Sequence, residues 1–426
     1  MDCELLTVGT ELLLGFTVDT NAADAGRALA EAGIGVRWRA TVGDDPDAVR
    51  EAVAAALART GAVIVSGGLG PTRDDLTRDA VAALFGRRLV RDAALLQALE
   101  ERFLRLGRGP MPESNRRQAD VPDGAAILPN RWGTAPGLWL EDERGLAVLL
   151  PGVPAEMRGL LEHEVIPRLV RRHEGAAPPA GAGGAGGVIR SRLLRTTGIS
   201  ESALADRVGD ISKLVGPGMT VAWLPAPEGT DLRLTAWHLP PDVADAELAK
   251  AAGALRPRLG AHCYGEGAVD LAALVLGELE RRGARLAVAE SCTGGLLGER
   301  LTAVPGSSRV FLGGVVAYHN DVKLGLLGVS GDAIATYGAV SEVVARAMAA
   351  GAARSLGADA AVAVTGIAGP DGGTAEKPVG TVWIAAQWQG ESRAFQYLFP
   401  GERDVVRRRA AQAALDALRR LLGGPS

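Results

Sequence analysis

Short apolar runs that break off into glycine-rich polar loops constrain this 426-residue chain more than any other feature. Ala62-Val63-Ile64-Val65-Ser66 is the clearest, a small and β-branched run too short for a helix, leading into Gly67-Gly68-Leu69-Gly70-Pro71-Thr72. Glu4–Val8, Val36–Val42 and Leu146–Leu150 repeat the pattern, with helical stretches at 20–32 and 46–59 between them. Short strands alternating with helices predict a mostly parallel α/β sheet. The pattern returns late in the chain, at Leu286–Ala289, Val310–Ala317 and Asp359–Val364, with helices expected at 268–282 and 341–355.

A chain of this length exceeds one typical core, so several domains are expected. Residues 1–174 form the first α/β domain. Residues 175–187, almost entirely Gly, Ala and Pro, read as a flexible linker. Residues 188–262 follow the order β-α-β-β-α, a small α+β connector without the basic Gly-x-x-Gly loop that clamps RNA. Residues 263–426 form the second α/β domain. The fold class is thus two α/β sheet domains joined by a small α+β connector.

The net charge of −4 argues against a broad basic face, so direct nucleic-acid binding is not expected. No apolar run approaches the roughly 20 residues that span a bilayer, and Met1–Leu5 opens no signal-peptide pattern. A cytoplasmic protein without membrane contact is expected. Cys3, Cys263 and Cys292 are too widely spaced for a metal or disulfide pattern.

The turn Glu290-Ser291-Cys292-Thr293-Gly294-Gly295 follows the strand at 286–289 and precedes a helix from Leu296. A hydroxyl there can attack a carbonyl while amides hold the developing oxyanion. Ser291 is the expected nucleophile. Cys292 is its rival, since a thiol at a helix start ionises more easily, and Ser308 is a second choice. Tyr318 or Lys323, after the next strand, would take the proton; Lys323 needs burial or a nearby cation to lower its pKa. Thr365 opens a third loop, with Gly366, Gly369, Gly372 and Gly373. Gly294–Gly295 and Gly366–Gly373 are the expected oxyanion or phosphate cradles, and Arg403 or Arg407 a phosphate ligand. If these strands are parallel, the three loops meet at one sheet edge.

In the first domain, Gly67, Gly68, Gly70 and Thr72 form a loop whose amides can approach an anion. Asp74 and Asp75 are oxygen ligands suited to a Mg²⁺-type ion bridging phosphates. Asn130–Gly137 and Pro151–Met157 are expected to rim the same site.

These motifs together resemble the CinA family of competence/damage-inducible proteins. Gly9-Thr10-Glu11-Leu12-Leu13 with Asn21, Gly67–Thr77, Gly133–Gly137 and Pro151–Met157 are similar to its molybdopterin-binding-like N-terminal domain, which brings Thr10 and Asn21 to the substrate site. Ala289–Gly295, Tyr318-x-Asn320-x-x-Lys323 and Thr365–Gly373 are similar to its C-terminal domain, bringing Thr293 and Asn320 to that substrate. The resemblance implies an ADP-ribose pyrophosphatase using a divalent metal and potassium in the first domain. In the last it implies a cofactor-free amidase converting nicotinamide mononucleotide (NMN) to nicotinate mononucleotide and ammonia. It implies a homodimer and a KH-like connector. Two other readings are molybdopterin nucleotide chemistry in the first domain and a non-enzymatic adaptor linked to DNA uptake. The Gly/Ala linker is the one departure from the family pattern.

Overall fold

Period-two alternation decides how both large sheets bury their residues. In Ala62–Ser66, Val63 and Val65 enter one apolar cluster, while Ala62 and Ile64 enter the cluster on the other face. In Leu286–Glu290, Leu286 and Val288 face one cluster, and Ala287 and Ala289 the other. Strands buried on both faces have no solvent side, which is why they read as continuous apolar runs.

The computed structural model describes residues 2–105, 107, 109–174 and 187–423; the linker expected at 175–187 lies almost wholly outside them. The chain divides into two compact units, Met1–Arg190 with Ala236–Asp245, and Ser191–Thr235 with Ala246–Ser426. Among the described residues no helix is long and apolar enough to cross a membrane.

The first unit holds a six-stranded sheet in the order Gly35–Val42, Asp2–Val8, Ala62–Ser66, Gly145–Leu150, Gly137–Asp142, Ala126–Leu128. The first four run parallel and the last two turn antiparallel. Helices Thr20–Glu31 and Pro46–Thr60 are capped by Asp19 and Asp45, whose carboxylates accept from the first free amides.

In the second unit a five-stranded sheet runs Phe311–Val316, Leu286–Glu290, Ala360–Gly366, Thr381–Trp388, Glu391–Leu398. Its first three strands are parallel and adjacent, and the other two antiparallel. Leu271–Arg281 and Arg403–Leu421 cover one face with leucine, valine and alanine side chains. Glu342–Leu356 covers the other, where Ala345, Ala349 and Ala352 meet Ala287, Ala361 and Ala363.

The connector strands Met219–Ala226, Gly229–Leu239, Val188–Thr196 and Cys263–Glu266 form a four-stranded sheet in that order. Its second helix, expected over 242–255, spans Pro241–Leu259 and runs past Pro257. Leu255 and Leu259, one turn apart and both fully buried, hold the last turn in place.

Candidate functional site

Three loops do leave one edge of the second unit's sheet. Glu290 pairs with Val316 on one side and Val364 on the other, so the Ser291, Tyr318 and Thr365 segments emerge together. Backbone bonds from Ser291 N to Val364 O (2.9 Å) and from Ala317 N to Glu290 O (2.7 Å) fasten the loops at their roots.

Lys323 sits on a helix, Asn320–Gly325, where a loop was expected; His319 Nδ1 caps it by accepting from Asp321 N. The lysine is 1% exposed. Its Nζ donates to Ala317 O at 2.8 Å and Tyr318 O at 3.3 Å, and among the described residues it has no carboxylate partner. Burial pushes its pKa below the usual lysine value, against a smaller opposing effect of the Cys292 sulfur. Ser291 is 8% exposed, and no hydrogen bond joins its Oγ to Lys323 Nζ among the described residues. Cys292 is buried, and its thiol is pushed up to about 12, chiefly by that burial. Burial thus disfavours the thiolate, the form that would attack.

Several expected roles change. The amides of Gly295, Leu297 and Gly298 all donate to the Glu290 carboxylate, at 3.0, 3.0 and 2.8 Å, and Gly294 N donates to Ser291 O. The Gly294–Gly295 pair is therefore not an anion cradle. Both residues have positive φ, +59° and +97°, which a side chain would resist. Thr293 is fully buried, and its hydroxyl makes no hydrogen bond among the described residues. Thr365, 1% exposed, donates its hydroxyl to Ala339 O at 2.8 Å, a structural bond in place of a catalytic one. Ser308 precedes Phe311–Val316, whose start pairs with Leu286, so it lies at the opposite sheet edge from Ser291. It cannot substitute for Ser291 within this chain.

The arginines act as clamps. Arg407 directs Nε and Nη2 at Thr293 O (3.2 and 2.9 Å), so its bidentate edge holds the Ser291 turn instead of a phosphate. Arg403 joins two loops, donating from Nη1 to Gly369 O (2.6 Å) and from Nη2 to the hydroxyl of Tyr318 (2.7 Å). Tyr318 is otherwise exposed, as is Asn320. Gly366 continues the ladder opposite Val382 rather than forming a cradle. Gly369 and Gly372 have positive φ, and a Cβ on Gly373 would stand 2.8 Å from Val379 N.

The first unit builds its edge differently. Gly67 N donates to Leu150 O, while Asn21 Nδ2 reaches both Ser66 Oγ (3.1 Å) and Gly152 O (2.7 Å). The Gly67 loop and the Pro151 segment thus share one rim, with Asn21 as their bridge. Asn130 adds its own loop by donating to Glu156 at 2.6 Å. Thr10 closes the neighbouring strand end, its amide donating to Asp44 at 2.8 Å. Asp75 Oδ2 accepts from both the amide and the hydroxyl of Thr72, which shapes the loop; Gly70 is needed because a Cβ would stand 2.4 Å from that oxygen. Asp74 is exposed, its pKa lowered by the Thr72 hydroxyl and its own backbone amide.

Family models divide the chain into three, and Cys263–Glu266, expected in the last domain, joins the connector sheet. Residues 4–171 match a probable molybdopterin binding domain, residues 191–265 the damage-inducible protein CinA KH domain, and residues 268–422 the CinA C-terminal domain. A CinA-like protein of Gemmatimonas aurantiaca is 55% identical over 421 residues, covering 99% of this chain and 96% of its own. The chain belongs to the CinA family. A CinA-like protein of Gloeobacter violaceus is 46% identical over 98% of this chain and 96% of its own. A solved structure, the competence/damage-inducible protein CihA of Agrobacterium tumefaciens, matches 36% of this chain and 93% of its own at 41% identity, with a TM-score of 0.35.

Some functional candidates of this CinA-family chain escape sequence reasoning. Glu290 is one, since nothing in the turn announces that its carboxylate caps the next helix. Arg78 is another: 1% exposed, with Nε and Nη2 making no hydrogen bond among the described residues, Asp79 4.0 Å from Nη2, and its pKa lowered first by burial. Its position beside Thr77, directly after the acidic pair, was the available signal. Arg117 joins it, bonding Thr72 O and Asp79 at 2.9 and 3.0 Å.

No group of three metal-ligating side chains occurs among the described residues, so no dedicated cage for a metal exists there.

Proposed function

We propose that the second unit is an amide hydrolase acting on NMN, giving nicotinate mononucleotide and ammonia, with Ser291 as nucleophile and Lys323 as base. The observation that carries this reading is the state of Lys323: buried, without a carboxylate partner among the described residues, and fixed by two backbone carbonyls at the Ser291 edge. A neutral amine there has two N–H groups for those carbonyls and one lone pair left to accept a proton. Ser291 Oγ would attack the carboxamide carbon while its proton passes to Lys323. The lysine returns that proton to the departing nitrogen as the C–N bond breaks, and ammonia leaves. Water then cleaves the ester, yielding the carboxylate and restoring Ser291. With the Gly295, Leu297 and Gly298 amides taken by Glu290, those of Cys292 and Thr293 remain as donors for the oxyanion. Tyr318 is the second candidate base, though its exposure and its bond to Arg403 favour a place in substrate contact. This unit needs no cofactor for the step.

The first unit is proposed as an ADP-ribose pyrophosphatase. The buried guanidinium of Arg78 beside the glycine loop, with Nε and Nη2 making no hydrogen bond among the described residues and Asp79 4.0 Å away, supports an anionic substrate. Asp74, with Asp75, would hold a divalent metal, which supplies charge neutralisation at the phosphates when bound; potassium is a further proposed ion. Molybdopterin nucleotide chemistry is the second reading, favoured by the match over residues 4–171. A homodimer working in the cytoplasm completes the proposal.

The test is ammonia release from NMN by the purified chain and two variants. Ser291→Ala is expected to lose about 10⁴-fold in kcat, whereas Cys292→Ala keeps most of its rate. Loss in Cys292→Ala alone would make this a thiol enzyme.

A further inference from the structure

The connector has no part yet in the chemistry of the second unit, though it grips the helix that carries both loop clamps. Arg409, on the helix Arg403–Leu421, donates from Nε to Pro227 O at 3.3 Å and from Nη1 to Pro400 O at 2.8 Å. Pro227 stands in the connector turn between Met219–Ala226 and Gly229–Leu239, and Pro400 in the segment that enters the helix. Roughly 15 Å further along the helix axis, the buried Arg419 donates from Nη2 to Ala261 O at 2.7 Å. The connector therefore holds this helix near both ends.

The turn that meets Arg409 is itself fixed. Thr197 donates its hydroxyl to Glu228 O at 3.2 Å, and Thr196 donates its own to Thr230 O at 2.6 Å. A Cβ on Gly229 would stand 2.2 Å from Thr196 O, so turn and strand lie together without room for a side chain. Pro225 and Pro227 restrict the turn's backbone before any contact forms. Pro227 O is thus a fixed acceptor, and Arg409 spans from it to the root of the helix.

Each residue turns a helix by about 100°, so side chains on its first turns reach their targets at one rotation only. Arg403 needs that rotation for Gly369 O and the Tyr318 hydroxyl, and Arg407 needs it for Thr293 O. Those acceptors lie on the three loops of the Ser291 edge. A misplacement on the order of 1 Å in a reacting site costs up to about 10²-fold in rate. We propose that the connector is a splint for the Ser291 edge, with Arg409 the positioning residue that passes its hold to the Arg403 and Arg407 clamps. The kinetic consequence rests on the amidase reading above; the mechanical one does not.

Hydrogen exchange on the full chain tests the splint independently of activity. Arg409→Met keeps the aliphatic stem and removes both bonds; amides of residues 291–298, 317–323 and 366–373 are expected to exchange about fivefold faster or more. Arg408→Met is the control, since Arg408 pairs with Asp404 on its own helix, and its loops are expected to keep the parent's exchange rates. Arg409→Lys, whose ammonium can reach one carbonyl, is expected to fall between the parent and Arg409→Met, and it serves if Arg409→Met fails to fold. In ammonia release from NMN, Arg409→Met is expected to raise KM about tenfold and leave kcat within about twofold, because Lys323 keeps its own backbone bonds. Unchanged exchange in all three segments of Arg409→Met and Arg409→Lys overturns the splint, whatever the activity. Equally fast exchange in Arg408→Met overturns it too. A parent chain that releases no ammonia removes the amidase reading alone.

Discussion

A Cβ placed on Gly67 would stand 2.2 Å from Val8 O, and one on Gly68 would stand 2.1 Å from Thr77 Oγ1. A Cβ on Gly294 or Gly295 would meet nothing nearer than 3.9 Å. Both glycine pairs follow a buried parallel strand, and in sequence they look alike. In the first unit, however, neighbouring atoms press on the glycines, and the loop is drawn against the ends of two other strands. In the second, the glycines only let the backbone turn with positive φ, and the amides they might offer are held, that of Gly294 by Ser291 O and that of Gly295 by Glu290. A glycine pair after a strand therefore identifies a tight turn, and the neighbouring acid decides whether its amides are available.

That contrast can be broken by substitution. Gly67→Ala combines the clash with an unfavourable φ of +113° and is expected to destabilise the first unit by about 3 kcal/mol. A denaturant titration giving a loss below about 1 kcal/mol would show that the loop relaxes freely. Glu290→Gln keeps the shape but weakens a carboxylate that accepts three amides, and a loss of roughly 1–2 kcal/mol is expected in the second unit. Unchanged stability with a higher amidase rate would return those amides to catalysis. The smallest effect is expected from Gly294→Asn, since asparagine tolerates the left-handed region and space is open; about 0.5 kcal/mol is anticipated. A loss as large as that of Gly67→Ala would erase the distinction between the two loops.

The strands and the edge they share were legible because period-two burial and abrupt glycine breaks are local signals. Lys323 was legible as a residue type but not as a buried one, since a six-residue helix has too few turns to show a face. The arginine roles were hidden for another reason. Arg403 and Arg407 lie one turn apart on a helix whose register against the loops only the assembled sheet fixes, and there they find carbonyl oxygens before any phosphate. Ser308 could have been placed from sequence, because a residue preceding a parallel strand lies at the edge opposite the residue that follows its neighbour. Arg78 announces itself only through its burial and two nitrogens without hydrogen bonds, which a sequence does not record.

The buried lysine at the Ser291 edge is tested most directly by the pH dependence of kcat/KM for ammonia release from NMN. Burial lowers the folded-state pKa of Lys323 beneath its ordinary 10.5, so the neutral, proton-accepting form gains population as pH rises through that lowered value. The rate is expected to climb with pH around a midpoint below the ordinary lysine value of 10.5, and Lys323→Met to lose both the climb and about 10³-fold in rate. A Lys323→Met enzyme with the parent's rate and pH profile would contradict the assignment.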